Sequence, residues 1–334
     1  MRQAREAQRP DGCPPRSIRR HAPVGADAKV GKTVAAAFDL NGYLHQRALL
    51  VERALEGVLK APREGGSRLV EAMRYSLFAG GKRLRPIVAL AACEAVGGAT
   101  EAALGLACAL EMIHTYSMIH DDLPCMDDDD FRRGKPSSHK AFGEALAVLA
   151  GDALLTDAFG VAVRLSLGAE GRSAQALLQV IAELSAAAGS AGMVEGQALD
   201  LQGEGLPMSL AELQQVHRRK TGALFVAAAC GGARLGGASE RQLSAFDEYA
   251  QSLGLAFQVT DDLLDVEGNL ADLGKRTNKD KARGKNTYAA LIGVGQAHAE
   301  ALRLADRACQ ALAGFDRRAD PLRELARFAV ERRK

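Results

Sequence analysis

The chain has 334 residues, of which 47% are hydrophobic and 25% charged, so it can bury the core of one large domain or two ordinary ones. Its 43 Lys and Arg residues balance 41 Asp and Glu residues, which disfavours an acidic disordered chain and predicts no nucleic-acid partner. Six cysteines without a CxxC pair predict a reduced, cytoplasmic protein. We expect no apolar run to reach the length of a membrane span.

The first 36 residues contain six arginines and four prolines and show little apolar periodicity. We interpret residues 1–36 as a disordered basic extension that precedes one domain at 37–334. A targeting peptide is an alternative, although Glu6, Asp11, Asp27 and the prolines disfavour an amphipathic helix. A start-site artefact is a further alternative.

From Phe38 onward, apolar residues recur at spacings of three and four, which predicts helices. No run alternates with the period of two that is typical of a strand. The chain has no Trp and only 4% aromatic residues, and its small side chains allow helices to approach closely, so the pattern predicts an all-α bundle. The predicted helices are 40–59, 67–78, 84–96, 100–119, 141–167, 173–188, 209–217, 221–235, 240–266, 287–294, 297–313 and 321–332.

Six carboxylates fall within the ten residues Asp121–Asp130, directly after an apolar helix and around the helix breaker Pro124. Like charges this close repel one another, and the helix dipole disfavours anions at a helix C-terminus. The segment is therefore either a solvated loop or a cation site. Hard oxygen ligands favour Mg²⁺, whereas the alternating ligands and central Gly of an EF-hand are absent from the segment.

A second acidic set, Asp261, Asp262 and Asp265, follows the apolar run Leu253–Val259. Asp261 and Asp265 are four residues apart, so both project from one helix face. A solvated stripe would explain either acidic set alone. Two such sets, each after an apolar helix, favour a shared cation.

Basic residues provide a possible partner for an anion. Gly80–Pro86 reads GGKRLRP, which places Lys82, Arg83 and Arg85 beside a glycine pair at a predicted helix start, where backbone N–H groups also favour anions. Further basic residues lie near predicted helix ends or breaks, and Arg in particular offers the bidentate donor geometry that suits phosphate. These are His114, Arg132, Arg133, Lys220, Lys275 and Lys285.

Together these segments resemble the trans-type isoprenyl diphosphate synthases over nearly everything after residue 37. The motifs that carry the resemblance, in chain order, are Gly80–Pro86, Glu111–Gly134, Lys220-Thr221, Phe257–Asp265 (FQVTDDLLD) and Gly284–Tyr288 (GKNTY). Gly192–Gln197 is similar to the glycine-rich helix motif of the family, with Glu195 where a small residue is frequent. The resemblance implies a single helical bundle with a central active-site cavity.

The resemblance also implies a reaction and its residues. Mg²⁺ ions held by both aspartate motifs bind an allylic diphosphate, which ionises; the double bond of isopentenyl diphosphate attacks the carbocation, and a proton is lost. The implied metal ligands are Asp121, Asp127 and Asp261, supported by Asp122 and Asp265. Isopentenyl diphosphate is assigned to Lys82, Arg85, His114 and Arg133. The allylic diphosphate is assigned to Arg132, Lys220 and Lys275, with Lys285 as a weaker assignment, and the carbocation region to Thr221 and Gln258.

Product length in this family depends on the residues four and five positions before the first motif, here Ser117 and Tyr116. A bulky aromatic side chain there stops elongation early, so Tyr116 predicts a C15 product, farnesyl diphosphate. The four residues between Asp122 and Asp127 resemble both the bacterial farnesyl enzymes and the plant-type geranylgeranyl enzymes. A C20 product therefore stays an alternative.

Two other classes are considered. A terpene cyclase of the same fold usually replaces the second aspartate motif by a mixed ligand set and does not need the GGKRLRP segment. A non-catalytic partner subunit would be expected to lose one motif or the basic residues. The sequence retains all of them, and the resemblance also implies a homodimer.

Overall fold

The computed structural model describes residues 38–61, 66–167, 173–271 and 286–332. The predicted extension 1–36 and the predicted diphosphate ligands Lys275 and Lys285 lie outside these residues. The helices of the described part are α1 (Leu40–Val58), α2 (Arg68–Leu77), α3 (Leu84–Ala95), α4 (Thr100–Asp121), α5 (Ser138–Phe142), α6 (Glu144–Leu167), α7 (Ala174–Ala188), α8 (Met193–Gln202), α9 (Leu210–His217), α10 (Ala223–Leu235), α11 (Glu240–Ala271), α12 (Tyr288–Ile292), α13 (Val294–Ala311) and α14 (Asp320–Glu331).

Helix α4 forms the centre of an all-α bundle, as the sequence predicts. It is buried along most of its length and packs against α3, α6 and α10, while α10 also packs against α7 and α11. A main apolar core surrounds these helices, and a second cluster joins α11 to α9, α12 and α13. The first aspartate motif thus begins at the end of α4, the second lies within α11, and both of these long helices are anchored in the core.

Small residues set how closely the helices approach. A Cβ atom added at Gly232 of α10 would overlap the carbonyl oxygen of Ala89 in α3. At the crossing of α4 and α6, a Cβ at Gly105 would lie 2.7 Å from the carbonyl oxygen of Ala162. Such distances require backbone-to-backbone packing, which the Ala- and Gly-rich composition allows.

The structure differs from the predicted elements where the backbone changes local geometry. The predicted helix 141–167 is divided at Gly143, whose φ of +88° suits glycine and ends α5 before α6 begins. A π-helical turn, Arg218–Gly222, joins α9 to α10. Phe131–Arg132 and Lys135–Pro136 pair as a two-residue antiparallel ribbon, which is too short to produce an alternating pattern in the sequence.

The expectation that no apolar run reaches the length of a membrane span is wrong by length and composition. Within the described residues, three helical segments qualify: Thr100–Asp121, Glu144–Leu167 and Ala174–Gln202, each with an 18-residue stretch of mean hydropathy 1.3, 1.7 and 1.4, respectively. Their apolar length reflects Ala- and Leu-rich packing positions that charges interrupt rarely. The first of them is 78% buried inside the protein, so the bundle core already uses most of that surface.

Gly232→Ala should destabilise the protein by about 1–3 kcal/mol, because the new methyl group has to displace the backbone of α3. Urea unfolding measures this change. Gly57→Ala in α1 is the matched control, since a Cβ there meets nothing within 4 Å and should stabilise the helix by up to about 1 kcal/mol. Equal effects of the two substitutions would contradict the close approach of α10 and α3.

Candidate active site

The first aspartate motif is folded by a chain reversal at the end of α4. Asp121 is the last residue of the helix, and its carbonyl accepts a 2.7 Å hydrogen bond from the backbone N–H of Asp127. Burial raises the pKa of Asp121 to about 6 against the opposing charge of Lys220, and the neighbouring Asp127 adds to the rise. The four residues between Asp122 and Asp127 therefore form a loop that brings Asp127 back towards Asp121.

Asp122 has different surroundings from Asp121. It is buried, and its Oδ1 atom accepts hydrogen bonds from Arg132 Nε at 2.9 Å and from Arg132 Nη2. Asp122 and Arg132 line a small cavity of about 30 Å³ beside Arg133. Asp122 therefore binds Arg132, the arginine that was assigned to the allylic diphosphate. The role of Asp122 as a supporting metal ligand stays a prediction.

The carboxylates of the second aspartate motif also differ from one another in their surroundings. Asp261 Oδ1 accepts a 2.6 Å hydrogen bond from Arg332 Nη2, and burial raises the pKa of Asp261 although Arg332 opposes the rise. Asp265, one turn further on, is exposed. Asp262 is buried and accepts the backbone N–H of Tyr288 at 2.9 Å, with His217 Nε2 at 3.6 Å. Asp262 thus fixes the start of α12 against α11.

The residues assigned to isopentenyl diphosphate come together. Lys82, Arg85, His114 and Arg133 line one cavity of about 400 Å³. Burial, followed by the charges of Arg85 and Arg133, lowers the pKa of His114 well below 6.5, and burial also lowers the pKa of the Arg85 guanidinium. These shifts follow from burying several cations together, which is an environment that suits an anionic ligand.

Arg83 is the exception within the basic segment. Its backbone is left-handed, with φ +50°, and its buried side chain pairs with Glu111 on α4 and donates to the carbonyl of Leu77 at 2.7 Å. Arg83 therefore attaches the basic segment to α4. Its neighbours Lys82 and Arg85 line the cavity on either side of this attachment.

A cleft of about 380 Å³ extends from the basic cavity along α4 and α8. Arg85 and His114 line both cavities, and the cleft also contains Asp121, so the first aspartate motif and the basic residues share one space. Asp261 acts electrostatically on Arg85 as well. The other lining residues include Tyr116, Ser117, Met193, Val194, Gln197, Ala198, Leu201, Lys220 and Thr221.

Lys220, which was assigned to the allylic diphosphate, lies with Thr221 and Gln258, which were assigned to the carbocation region, around a π-helical turn. Lys220 Nζ donates to Asp200 Oδ2 at 2.7 Å, and Thr221 Oγ1 donates to Gln258 Oε1 at 2.9 Å. A Cβ at Gly196 would overlap the backbone of Lys220, so the glycine-rich helix α8 packs directly on this turn. π-helical turns often occur at functional sites.

The donor set fits Mg²⁺. Asp121, Asp127 and Asp261 offer carboxylate oxygens only, and the buried carboxyl groups of Asp121 and Asp261 have raised pKa values, as expected where a cation would stabilise the charged form. Sequence reasoning missed Arg332 on Asp261, Asp200 on Lys220 and Glu111 on Arg83. Each is a contact between residues at least 20 positions apart, for which the sequence carries no local signal.

Comparisons with known proteins agree with this geometry. The family model described as polyprenyl synthetase matches residues 67–313. The chain is 47% identical to a farnesyl diphosphate synthase of Geobacillus stearothermophilus over 78% of this chain and 87% of the relative. It is 46% identical to geranylgeranyl pyrophosphate synthase 11 of Arabidopsis thaliana over 88% and 82%. The crystal structure of an FPP/GFPP synthase from Zymomonas mobilis is similar with a TM-score of 0.77 and 40% identity, covering 87% of this chain and 98% of that one.

Acid should destabilise the protein through His114. The unfolded chain binds a proton at this imidazole as the pH falls below about 6.5, whereas the folded chain, with its lowered pKa, does not. The free energy of unfolding should therefore fall by up to about 1.4 kcal/mol per pH unit below that value. Urea unfolding between pH 5 and 7 should show that the free energy of unfolding depends less steeply on pH in His114→Gln than in the natural chain. Ser117→Ala, in the same cleft, should keep the natural slope; an unchanged slope in His114→Gln would contradict this environment.

Proposed function

Because this chain belongs to the polyprenyl synthetase family and is a trans-prenyltransferase, we propose that it condenses isopentenyl diphosphate with dimethylallyl and geranyl diphosphates to give farnesyl diphosphate. The observation that carries the C15 product is the position of Tyr116. It is buried on α4, lines the cleft, and lies five residues before Asp121, with its ring edge-on to His120 at 5.7 Å. A bulky side chain at this place supports an early stop.

We assign Mg²⁺ to Asp121, Asp127 and Asp261, with Asp122 and Asp265 in support. When bound, the metal would neutralise the negative charge of the departing diphosphate. The return of Asp127 to Asp121 and the oxygen-only donor set support this assignment.

The basic cavity would bind isopentenyl diphosphate. Lys82, Arg85 and Arg133 supply the charge, and His114, neutral because of its lowered pKa, supplies a ring nitrogen. The sharing of Arg85 and His114 between this cavity and the cleft supports a path from one substrate to the other. Burial excludes water and strengthens the attraction between these groups and a diphosphate.

The allylic substrate would lie in the cleft with its diphosphate near Lys220 and Arg132. Its carbon–oxygen bond breaks and the diphosphate leaves with the electron pair. The double bond of isopentenyl diphosphate then forms the new carbon–carbon bond, and the released diphosphate accepts the proton that is lost. Thr221 and Gln258 are hydrogen-bonded to each other at the π-helical turn, and the dipoles of their side-chain oxygen groups would stabilise the carbocation. Lys275 and Lys285 keep their proposed diphosphate roles, as positions outside the described residues.

A C20 product is the alternative, since similar proteins are named both as farnesyl and as geranylgeranyl synthases. A terpene cyclase is not supported, because the chain keeps both aspartate motifs and the basic cavity. The homodimer, the cytoplasmic location and the absence of a nucleic-acid partner stay predictions. Exposed apolar residues on α6 (Val148, Leu149 and Leu167) support this helix as the dimer seam.

Tyr116→Ala should lengthen the product, because the truncated side chain opens the end of the cleft. Chromatography of the dephosphorylated products should show mainly C15 alcohol for the natural chain and C20 or longer alcohols for the variant. Ser117→Ala, which removes only a hydroxyl group from the same wall, should keep C15. A natural chain that makes only C20 or longer products would reject the C15 proposal.

Asp121→Asn should reduce kcat on the order of a hundredfold or more, because the metal contributes several kcal/mol to stabilising the leaving group. Release of diphosphate at saturating Mg²⁺ measures this loss. Asp157→Asn, an exposed carboxylate on α6, is the matched control and should leave kcat unchanged. Near-normal turnover of Asp121→Asn would show that the metal assignment is wrong.

A further inference from the structure

Three residues outside the assigned magnesium and diphosphate sets converge just after the first aspartate motif. Asp128, Asp130 and His139 each offer one ligand atom, and these three atoms lie within 4.8 Å of one another. Nitrogen and oxygen ligands bound at 2.0–2.2 Å to a tetrahedral ion stand about 3.3–3.6 Å apart. Side-chain shifts that shorten these separations by at most about 1.5 Å would therefore bring the three groups onto one ion.

The buried imidazole distinguishes this cluster from an ordinary acidic surface. His139 is only 6% exposed, and its Nδ1 atom lies 3.1 Å from Ser137 Oγ. The Nε2 atom is buried and has no hydrogen-bond partner within the described part of the chain. Histidines that bind a metal commonly fix one ring nitrogen through a hydrogen bond and present the other to the ion. A buried ring nitrogen without a partner is otherwise unfavourable.

The two neighbouring cations, Arg132 and Lys140, do not prevent a metal from binding. Arg132 pairs with Asp122 and lies 3.6 Å from Asp129, so its charge is compensated by carboxylates that are not part of the cluster. Lys140 pairs with Asp130 Oδ1 at 2.9 Å, but both side chains are about half exposed, and such surface pairs are weak. A divalent ion bound by three protein groups would displace this lysine.

We propose that Asp128, Asp130 and His139 form a Zn²⁺ site that is separate from the magnesium residues. Imidazole nitrogen favours borderline ions such as Zn²⁺ over Mg²⁺, which prefers oxygen ligands and keeps its waters. One nitrogen and two carboxylate oxygens leave a position for water or a further ligand.

The location indicates what the ion would do. Asp130 precedes the ribbon Phe131–Pro136 and His139 follows it, and the backbone N–H of Ser137 already donates to the Asp130 carbonyl at 2.9 Å. Zn²⁺ would join the two ends of the ribbon that carries Arg132 and Arg133. The ion would thus stabilise the ribbon without taking part in the transfer reaction.

Calorimetric titration of the full chain with Zn²⁺, in the presence of excess Mg²⁺ to occupy the oxygen-only ligands, tests the proposal. The natural chain should bind one Zn²⁺, and His139→Gln and Asp130→Asn should each weaken binding at least about tenfold. Lys140→Met should tighten binding by removing the competing cation. Asp121→Asn and Asp157→Asn should bind Zn²⁺ as the natural chain does.

Three results would overturn the proposal: no binding of micromolar Zn²⁺, unchanged affinity in His139→Gln, or loss of the site in Asp121→Asn, which would assign the ion to the magnesium residues. Urea unfolding without metal checks whether His139→Gln remains folded. Asp130 is exposed, so Asp130→Asn keeps the test valid even if the buried histidine cannot be replaced.

Discussion

The buried ion pair between Arg83 and Glu111 is the contact on which the arrangement of the site depends. Both side chains are almost fully buried, and removing one partner of such a pair typically costs about 3–5 kcal/mol because the other charge is left uncompensated. Glu111 lies one turn before His114 on α4, and Arg83 lies between Lys82 and Arg85. The pair therefore holds the basic segment against the same helix that ends at Asp121, and it sets the separation of the anion site from the aspartates.

Without a ligand, the burial of several charged groups in the site is unfavourable. Burial lowers the pKa of Arg85 and His114 and raises that of Asp121 and Asp261, so each group would gain from a ligand of opposite charge. Arg332 relieves part of this penalty by pairing with Asp261, and the charge of Lys220 opposes the rise in the pKa of Asp121. Arg332 binds Oδ1 of Asp261, so a metal at this motif would either use the Oδ2 atom or displace the arginine.

Local sequence patterns predicted most of the described helices, although not α8 or the break at Gly143, and they did not determine side-chain partners. Apolar periodicity predicts α4 and α11 because both bury wide faces, and the aspartates at the end of α4 and within α11 directly follow apolar runs. Asp121 and Asp122 are indistinguishable by position, yet only Asp122 is held by Arg132. Asp262 likewise differs from Asp261 through Tyr288 and His217, which come from other elements. Such distinctions arise from tertiary contacts.

With Tyr116 as the proposed end of the cleft, helix geometry limits the depth available to a product. Tyr116 lies five residues before Asp121, about 7.5 Å along the axis of α4. One turn earlier, Met112 and Ile113 are fully buried against the main core and do not line the cleft. Space opened at Tyr116 therefore ends at packed side chains rather than at solvent, and a longer chain would turn towards α8, whose residues Ala198 and Leu201 also line the cleft. The depth of the cleft thus depends on how tightly α4 is packed as much as on the single aromatic ring.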